Sequence, residues 1–222
     1  MRENEFNHPT KTIFIQACKD FGFNTYDVSP DRTDTPLKTR TDRANKQYDS
    51  GKYKVYIYVS WHFNSIGVRW SDNVGGIETF YHNSSIEGKK LATAIHKQLL
   101  KGMNLKDRGV KKDTIIYKSG FHELRETKMI AVLLECGFMS NHVEANLMKN
   151  ISYQHECAIE ALKGICDYLG IKYKEQNDIS KLEEYTKIIS PEYWEVWMKH
   201  FRASSKLPWE DFLFNALNKK IP

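Results

Sequence analysis

Two residues of the sequence combine a reactive side chain with a strand-like surrounding. Glu135 follows the apolar run 129–134 and is followed by a cysteine and a glycine, and His62 follows a segment rich in β-branched and aromatic residues. A carboxylate flanked by apolar residues is partly desolvated, which raises its pKa toward the range useful for a general base. An imidazole at a strand end can bind a metal ion or act as a base.

Each of these residues also has an ordinary structural interpretation. His62 alone fits a hydrogen-bonded loop histidine, and Glu135 alone fits an ion-pair partner at the rim of a sheet. Glu3 and Glu5 lie just ahead of a predicted helix and fit two surface acids that favour its N-terminus electrostatically. The functional interpretation therefore depends on the fold bringing His62 and Glu135 together.

Helix and strand patterns alternate along the first 170 residues. Periodicity and capping predict helices at residues 9–21, 35–48, 86–101 and 153–169. Runs of β-branched and aromatic residues predict strands at 25–28, 53–60, 77–81, 115–117 and 130–134. This alternation predicts an α/β fold, a three-layer sandwich whose mostly parallel sheet is flanked by helices. His62 and Glu135 are each predicted just past a strand's carboxyl end, where such sheets gather their chemistry.

Composition excludes several classes of protein. No apolar stretch approaches the roughly 20 residues of a membrane span, and the polar N-terminus does not resemble a signal peptide, so synthesis in the cytoplasm is expected. The four cysteines form no CxxC pair, which favours free thiols in a reducing compartment. The net charge of +5 is a mild bias toward anionic partners and fits equally well a slightly basic, solvated surface.

The end of the sequence differs in composition from the rest. Residues 171–180 are polar and are predicted to be a linker, and residues 181–222 contain three of the five tryptophans at partly helical spacing. This pattern predicts a small helical C-terminal segment. A mini-core is the more common use of such tryptophans, and a wall-binding module is the alternative.

Several short motifs occur together and in one order. The motifs are MRENEFN at 1–7, VSWHFN at 59–64, GIETFY at 76–81 and LLECGFMSN at 133–141. With these motifs, residues 1 to about 170 resemble the zinc-dependent N-acetylmuramoyl-L-alanine amidases of the Amidase_3 type, which occur in bacterial autolysins and phage endolysins.

The resemblance implies a role for each motif. A glutamate four residues before an asparagine binds zinc in this family, and Glu3 has this spacing, with Glu5 as the alternative register. By the same resemblance His62 is a second zinc ligand, Glu135 is the catalytic base and Zn²⁺ is the cofactor. The implied substrate is peptidoglycan, which is cut between N-acetylmuramic acid and L-alanine.

The loop at 64–75 is the expected substrate-binding segment of such a domain. It contains Asn64, Arg69 and Trp70, which are expected to line the groove. A solvated loop with one packed indole fits the same residues about equally well.

One family feature is absent from the sequence. The family begins with a buried strand and a Gly-His-Gly-like turn whose histidine is the first zinc ligand, whereas here Met1 directly precedes the next motif. The resemblance thus implies an N-terminally truncated catalytic domain over residues 1–170, with weak zinc binding and a gap or exposed edge in its sheet. A truncated gene, an alternative start or a miscalled first codon would each explain it. His8 is a weak candidate for the lost ligand because ligand geometry is demanding.

These observations leave three function classes to compare. The leading one is a peptidoglycan amidase that acts on the cell wall after release from the cell, without a nucleic-acid partner, without a membrane span and as a monomer. A catalytically impaired remnant that only binds the wall is the alternative. A basic nucleic-acid-binding protein has only the charge of +5 in its favour.

Overall fold

The computed structural model describes residues 2–30 and 34–174 of the chain. The predicted C-terminal module, 181–222, and most of the linker before it lie outside the described residues. Six helices, four strands and one 3-10 turn follow one another in this part of the chain. In order they are α1 (Asn4–Asp20), α2 (Leu37–Asp49), β1 (Ile57–Asn64), β2 (Ile77–Tyr81), α3 (Ile86–Gly102), β3 (Asp107–Lys112), the 3-10 turn (Asp113–Ile115), α4 (His122–Glu126), β4 (Ile130–Phe138), α5 (His142–Met148) and α6 (Ile151–Leu169).

The four strands form one sheet in the order β1-β4-β2-β3, and helices cover both of its faces. β1 with β4 and β2 with β3 are parallel pairs, whereas β2 and β4 are antiparallel. Helices α1, α3 and α6 pack on one face around Trp61 and Leu134. Ala44 of α2 and Leu124 of α4 pack on the other face. The predicted three-layer α/β sandwich with a mostly parallel sheet is confirmed.

Strands β1 and β4 each end four residues later than the predicted 53–60 and 130–134, and β1 also begins four residues later. β1 begins at Ile57 and runs to Asn64, and β4 runs to Phe138, because their parallel pairing continues through the register pair His62 and Glu135. The prediction that both residues lie just past a strand end was therefore wrong. They lie inside paired strands, a few residues before the carboxyl ends, where the backbone holds them more rigidly than a loop would.

Two further strand predictions were wrong. Residues 25–28 are not part of any described strand, since no partner strand lies beside them. The strand predicted at 115–117 is instead β3, at Asp107–Lys112. Its sequence DRGVKK has no apolar alternation because β3 is an edge strand, and charged side chains are common at such edges.

Helix α1 begins five residues earlier than predicted and contains Pro9 in its interior. A proline has no backbone N–H, so the carbonyl of Glu5, four residues earlier, receives no helical hydrogen bond from it. The side-chain amide of Gln154 in α6 donates to that carbonyl at 3.0 Å and to the carbonyl of Met148 at 2.7 Å. Because Gln154 is buried, with 3% of its surface exposed, it satisfies two carbonyls that water reaches poorly.

We expect Gln154→Ala to lower the free energy of unfolding by about 1–3 kcal/mol, since it leaves buried carbonyls unpaired. The measurement is chemical denaturation followed by circular dichroism. Gln16→Ala is the matched control, because the Gln16 amide donates to the Asp20 carboxylate within the same helix. Equal and small effects of the two substitutions would show that the Gln154 contacts do not stabilise α1.

Among the described residues, β1 has a strand neighbour on one side only. Between its other edge and the extended residues 23–28 lies a groove of about 600 Å³. Apolar and aromatic side chains dominate its walls, among them Phe14, Phe23, Val59, Trp61 and Leu169.

The backbone N–H and C=O groups of β1 point alternately toward β4 and toward the groove. The carbonyl of Tyr56 accepts a hydrogen bond from the N–H of Ile130, so Tyr56 faces β4. Successive residues of a strand point their backbone groups to opposite sides. Ile57, Val59 and Trp61 therefore present their N–H and C=O groups to the groove.

Within the described residues, no helix is both long and apolar enough to cross a bilayer.

Candidate active site

Three polar residues stand side by side on one face of the sheet. The β1–β4 register places His62 opposite Glu135, and the β2–β4 register places Glu78 opposite the same glutamate. Directly opposed residues project to the same face of a sheet. The fold thus brings together the two residues that the sequence predicted to act together, and it adds Glu78.

Glu3 completes the group from the start of α1. Its Oε1 atom lies 2.9 Å from Nδ1 of His62 and accepts a hydrogen bond from the Phe63 N–H at 3.0 Å. Nε2 of His62 lies 3.0 Å from the Ser60 hydroxyl, so both ring nitrogens are engaged. Glu5 instead accepts from the backbone N–H of Arg2. Of the two registers left open by the sequence, the structure brings Glu3 to His62.

The two members of this pair stabilise each other's charged forms. Burial opposes charge on His62, but the hydrogen bond that its ring donates to Glu3 and the nearby carboxylate of Glu135 outweigh it and raise the histidine pKa. Burial likewise opposes charge on Glu3, but the hydrogen bonds and charge supplied by His62 and Phe63 outweigh it and lower the glutamate pKa.

Glu135 is the most strongly perturbed carboxyl group of the site. Only 8% of its surface is exposed, and its Oε2 atom has no hydrogen-bond partner among the described residues. Burial raises the pKa of Glu135 to about 7; the charges of Glu3 and Glu78 add to this, and His62 opposes it. The desolvation predicted from the apolar run is confirmed. A carboxyl group with this pKa exchanges protons readily near neutral pH.

We expect the metal-free protein to lose stability as the pH rises from about 4.5 to about 7. Below 4.5 the Glu135 carboxyl is protonated in both the folded and unfolded states, whereas above 7 the folded state must hold a buried carboxylate. A gap of about 2.5 pH units corresponds to on the order of 3 kcal/mol. Denaturant unfolding of the parent and of Glu135→Gln, at pH 4.5 and pH 8 with a chelator, measures it. A parent–variant difference that is the same at both pH values would contradict this expectation.

Glu78 organises the neighbouring rim, and the sequence patterns gave no separate role to it. Its carboxylate pairs with Lys111 and, at 3.1 Å, with Nε of Arg108, and it accepts from the Asn64 side-chain amide at 2.6 Å. The only available signal was a glutamate among apolar residues in the strand GIETFY. Because these cations neutralise Glu78, a carboxylate that is 2% exposed can remain beside Glu135.

A second buried carboxylate fixes the loops around the site. Glu144 accepts hydrogen bonds from the backbone N–H groups of Gly76 at 2.8 Å and Phe138 at 2.7 Å. Asn141 caps the same helix, α5, and its side-chain amide donates to the carbonyls of Asp72 and Val74. The loop between β1 and β2 is thus tied to the residues that follow β4.

The three predicted substrate-binding residues have different surroundings. The Asn64 side-chain amide is held by Glu78, and Arg69 is exposed. Trp70 is 52% exposed and stacks on the His142 ring, with centroids 4.1 Å apart and planes at 12°. Trp70 is thus neither a buried core residue nor an isolated surface indole.

The donors fit zinc in type but only partly in number. Two tetrahedral ligands at 2.0–2.2 Å from an ion are about 3.3–3.6 Å apart, so Glu3 Oε1 and His62 Nδ1, now 2.9 Å apart, need to separate by about 0.5 Å to admit one. Catalytic zinc sites usually have three protein ligands. Over residues 2–30 and 34–174, no group of three or more His, Cys, Asp or Glu side chains converges in a metal-binding arrangement. His8 therefore does not complete the set.

A second polar chain resembles a hydrolase triad but is inaccessible. The hydroxyl of Thr79 lies 3.0 Å from Nδ1 of His96, and Nε2 of His96 lies 2.9 Å from Asp107. Thr79 is completely buried, so no substrate can reach its hydroxyl. This series of side-chain hydrogen bonds links β2, α3 and β3, and its contribution is structural.

Comparison with proteins of known sequence identifies one family. The model of the Amidase_3 family, described as N-acetylmuramoyl-L-alanine amidase, matches residues 1–167. The endolysin of Bacillus phage SPP1 is 32% identical over 145 residues, which cover 64% of this chain and 50% of the endolysin. The germination-specific N-acetylmuramoyl-L-alanine amidase of Bacillus subtilis (strain 168) is 30% identical over 117 residues, which cover 52% of this chain and 46% of that protein.

Solved structures agree with the sequence comparison. The catalytic domain of CwlV, an N-acetylmuramoyl-L-alanine amidase from Bacillus (Paenibacillus) polymyxa var. colistinus, has a TM-score of 0.65 at 31% identity, and the match covers 77% of this chain and 86% of that one. The N-acetylmuramoyl-L-alanine amidase from Clostridium difficile 630 has a TM-score of 0.65 at 26% identity, over 78% and 87% of the two chains. The matched region spans 26% of the length of one curated relative and 61% of another. Because the family match covers well over half of the sequence, the chain belongs to the Amidase_3 family of N-acetylmuramoyl-L-alanine amidases.

Proposed function

We propose that this chain is a zinc-dependent hydrolase of peptidoglycan that cuts the amide bond between N-acetylmuramic acid and L-alanine. One observation carries the proposal. A buried carboxyl group with a pKa near 7, Glu135, stands opposite His62 in the sheet, and His62 in turn contacts Glu3. A proton acceptor beside a pair of metal donors is the arrangement that metal-assisted amide hydrolysis requires.

Glu3 and His62 are the residues that would hold the ion, through Oε1 and Nδ1. When bound, zinc acts as a Lewis acid and lowers the pKa of water to about 7. Glu135 accepts the proton of the attacking water and later delivers it to the leaving amine. The Ser60 hydroxyl, bonded to Nε2, fixes the orientation of the His62 ring.

The surroundings of the site support assignments for substrate binding. Asn64, held by Glu78, lies at the end of β1, next to the reacting groups, and would position the substrate from a fixed point. Arg69 and Trp70 are exposed on the loop that follows and would contact the polymer farther from the bond that is cut. The likeness to a phage endolysin and to a germination-specific N-acetylmuramoyl-L-alanine amidase supports the cell wall as the partner. We propose that the chain reaches it after release from the cell. We further propose that the chain acts as a monomer.

The test uses the full chain and isolated cell walls. We expect mass spectrometry to detect free stem peptides with a new L-alanine amino terminus, and we expect a chelator to stop their release and added Zn²⁺ to restore it. Release of peptides cut elsewhere, or of sugars alone, would overturn the assignment. Cleavage that a chelator does not affect would overturn the zinc dependence and leave the amidase activity in place.

The donor count supports a second candidate function. Because the described residues supply two zinc ligands where three are usual, a protein that binds walls without cutting them is the alternative. Sedimentation with walls and no released peptide at saturating Zn²⁺ would establish this alternative.

A further inference from the structure

The exposed ring stack of Trp70 and His142 takes no part in the proposed metal binding and proton transfer, and the part of the polymer that Trp70 contacts is still to be assigned. His142 covers one face of the indole, and more than half of the Trp70 side chain remains exposed. The protein does not need such exposure for packing. An indole with one supported face and one open side is a flat apolar surface for a ligand.

This surface is fixed in position before any ligand arrives. Asp72 accepts hydrogen bonds from both the backbone N–H and the Nδ1 atom of His142, at 2.8 and 2.9 Å. The N–H of Ser71 donates to the carbonyl of Ser140 at 2.8 Å. Preorganised side chains lose little conformational entropy on binding, so contacts with them contribute more of their energy to affinity.

The stack also lies at the same end of the sheet as the proposed catalytic group. The loop that carries Trp70 leaves β1 at Asn64, two residues after His62, and His142 follows β4 seven residues after Glu135. A polymer bound across this rim would therefore reach both places.

The chemistry around the indole matches a sugar. Pyranose rings have one face of C–H groups, which packs on an aromatic ring, and a rim of hydroxyls. Asp72 supplies an exposed acceptor for hydroxyls, and the hydrogen bonds from His142 lower its pKa and so keep it ionised. Arg69, the residue before Trp70, is an exposed donor.

From this geometry we propose that Trp70, stacked on His142 and flanked by Asp72, binds a sugar ring of the glycan strand next to the muramoyl unit being cut. The inference rests on the proposed function and specifies the substrate class of the same site. It predicts that the chain recognises the polysaccharide as well as the amide, and that it prefers polymeric wall to an isolated muramoyl peptide.

The direct test is binding of a peptide-free oligosaccharide of alternating N-acetylglucosamine and N-acetylmuramic acid to the full chain, measured by calorimetry. We expect Trp70→Ala to weaken binding about tenfold and Trp70→Phe, which keeps a ring, to weaken it about threefold or less. Val68→Ala is the matched control, since Val68 lies in the same loop and is fully exposed. It should bind like the parent.

Kinetics give a second readout that a merely structural role would not change. On a glycan substrate Trp70→Ala should raise KM with little change in kcat, because it removes a binding contact and leaves the reacting groups in place.

Three outcomes would overturn the inference: no binding of the oligosaccharide by the parent chain, equal binding by Trp70→Ala and the parent, or Trp70-dependent binding of a sugar-free stem peptide instead. Trp70-dependent sugar binding without any amide cleavage would support the inference and contradict the hydrolase. Cleavage with equal KM for the two proteins would do the reverse.

Discussion

Glu135→Gln should abolish amide cleavage while leaving the fold intact. The amide is nearly isosteric with the carboxyl group but cannot accept a proton, and positioned general bases contribute about 10²–10⁴-fold to rate. The substitution also removes the cost of holding a carboxylate at a site that is 8% exposed, so the variant should be at least as stable as the parent at pH 8. Release of stem peptides from walls measures the first effect, and denaturation measures the second.

Glu144→Gln is the control for a buried glutamate next to the site. Glu144 accepts two backbone hydrogen bonds and is needed to hold the loops. Its replacement should therefore lower the free energy of unfolding and have a smaller effect on the rate of amide cleavage. An active Glu135→Gln variant would show that another group takes the proton. Loss of both activity and stability in Glu135→Gln would show a structural role instead.

His62→Ala should remove the metal rather than the fold. Of the two proposed zinc ligands, Glu3 alone would then remain. One carboxylate binds zinc far more weakly than a carboxylate and an imidazole together. We expect equilibrium dialysis against dilute Zn²⁺ to show binding by the parent and at least a tenfold loss in the variant, in line with the 10–100-fold cost of lesser changes around metal sites. Glu3→Gln should behave similarly.

His82→Ala provides the control for zinc bound by any surface histidine. His82 contacts the hydroxyl of Ser84 on the loop before α3 and should retain the parent's zinc affinity when replaced. Unchanged zinc binding in both His62→Ala and Glu3→Gln would place the metal elsewhere in the protein. Zinc binding by Glu135→Gln at the parent's level would separate the role of the base from that of the ligands.

The residues that carry the proposed chemistry were the most predictable part of this protein. Glu135 interrupts an apolar run, and such a carboxyl group is expected to be desolvated wherever the strand lies, so its raised pKa followed from sequence. The meeting of Glu3 and His62, separated by 59 residues, followed only from the resemblance to the amidase family. Local periodicity contains no information on such a distant contact.

The edge strand of the sheet and the ion-paired glutamate beside the site were the least predictable features. β3 was misplaced because its charged sequence has no alternation, and residues 25–28 have the composition of a strand but no partner beside them. Glu78 was passed over because its pairing with Arg108 and Lys111 depends on the parallel pairing of β2 and β3. In each case tertiary contacts, which the local pattern does not contain, decided the outcome.

The one-sided pairing of β1 makes the dynamics of its amides unequal. Tyr58 and Ser60 donate toward β4, whereas Val59 and Trp61 donate toward the groove of about 600 Å³. Hydrogen exchange should therefore alternate along this strand, slow at Tyr58 and Ser60 and fast at Val59 and Trp61. Over residues 2–30 and 34–174, the strand that carries His62 is thus held by a neighbouring strand on one side only, so the rigidity of His62 depends on β4 and on the carboxylate of Glu3 that accepts from Phe63.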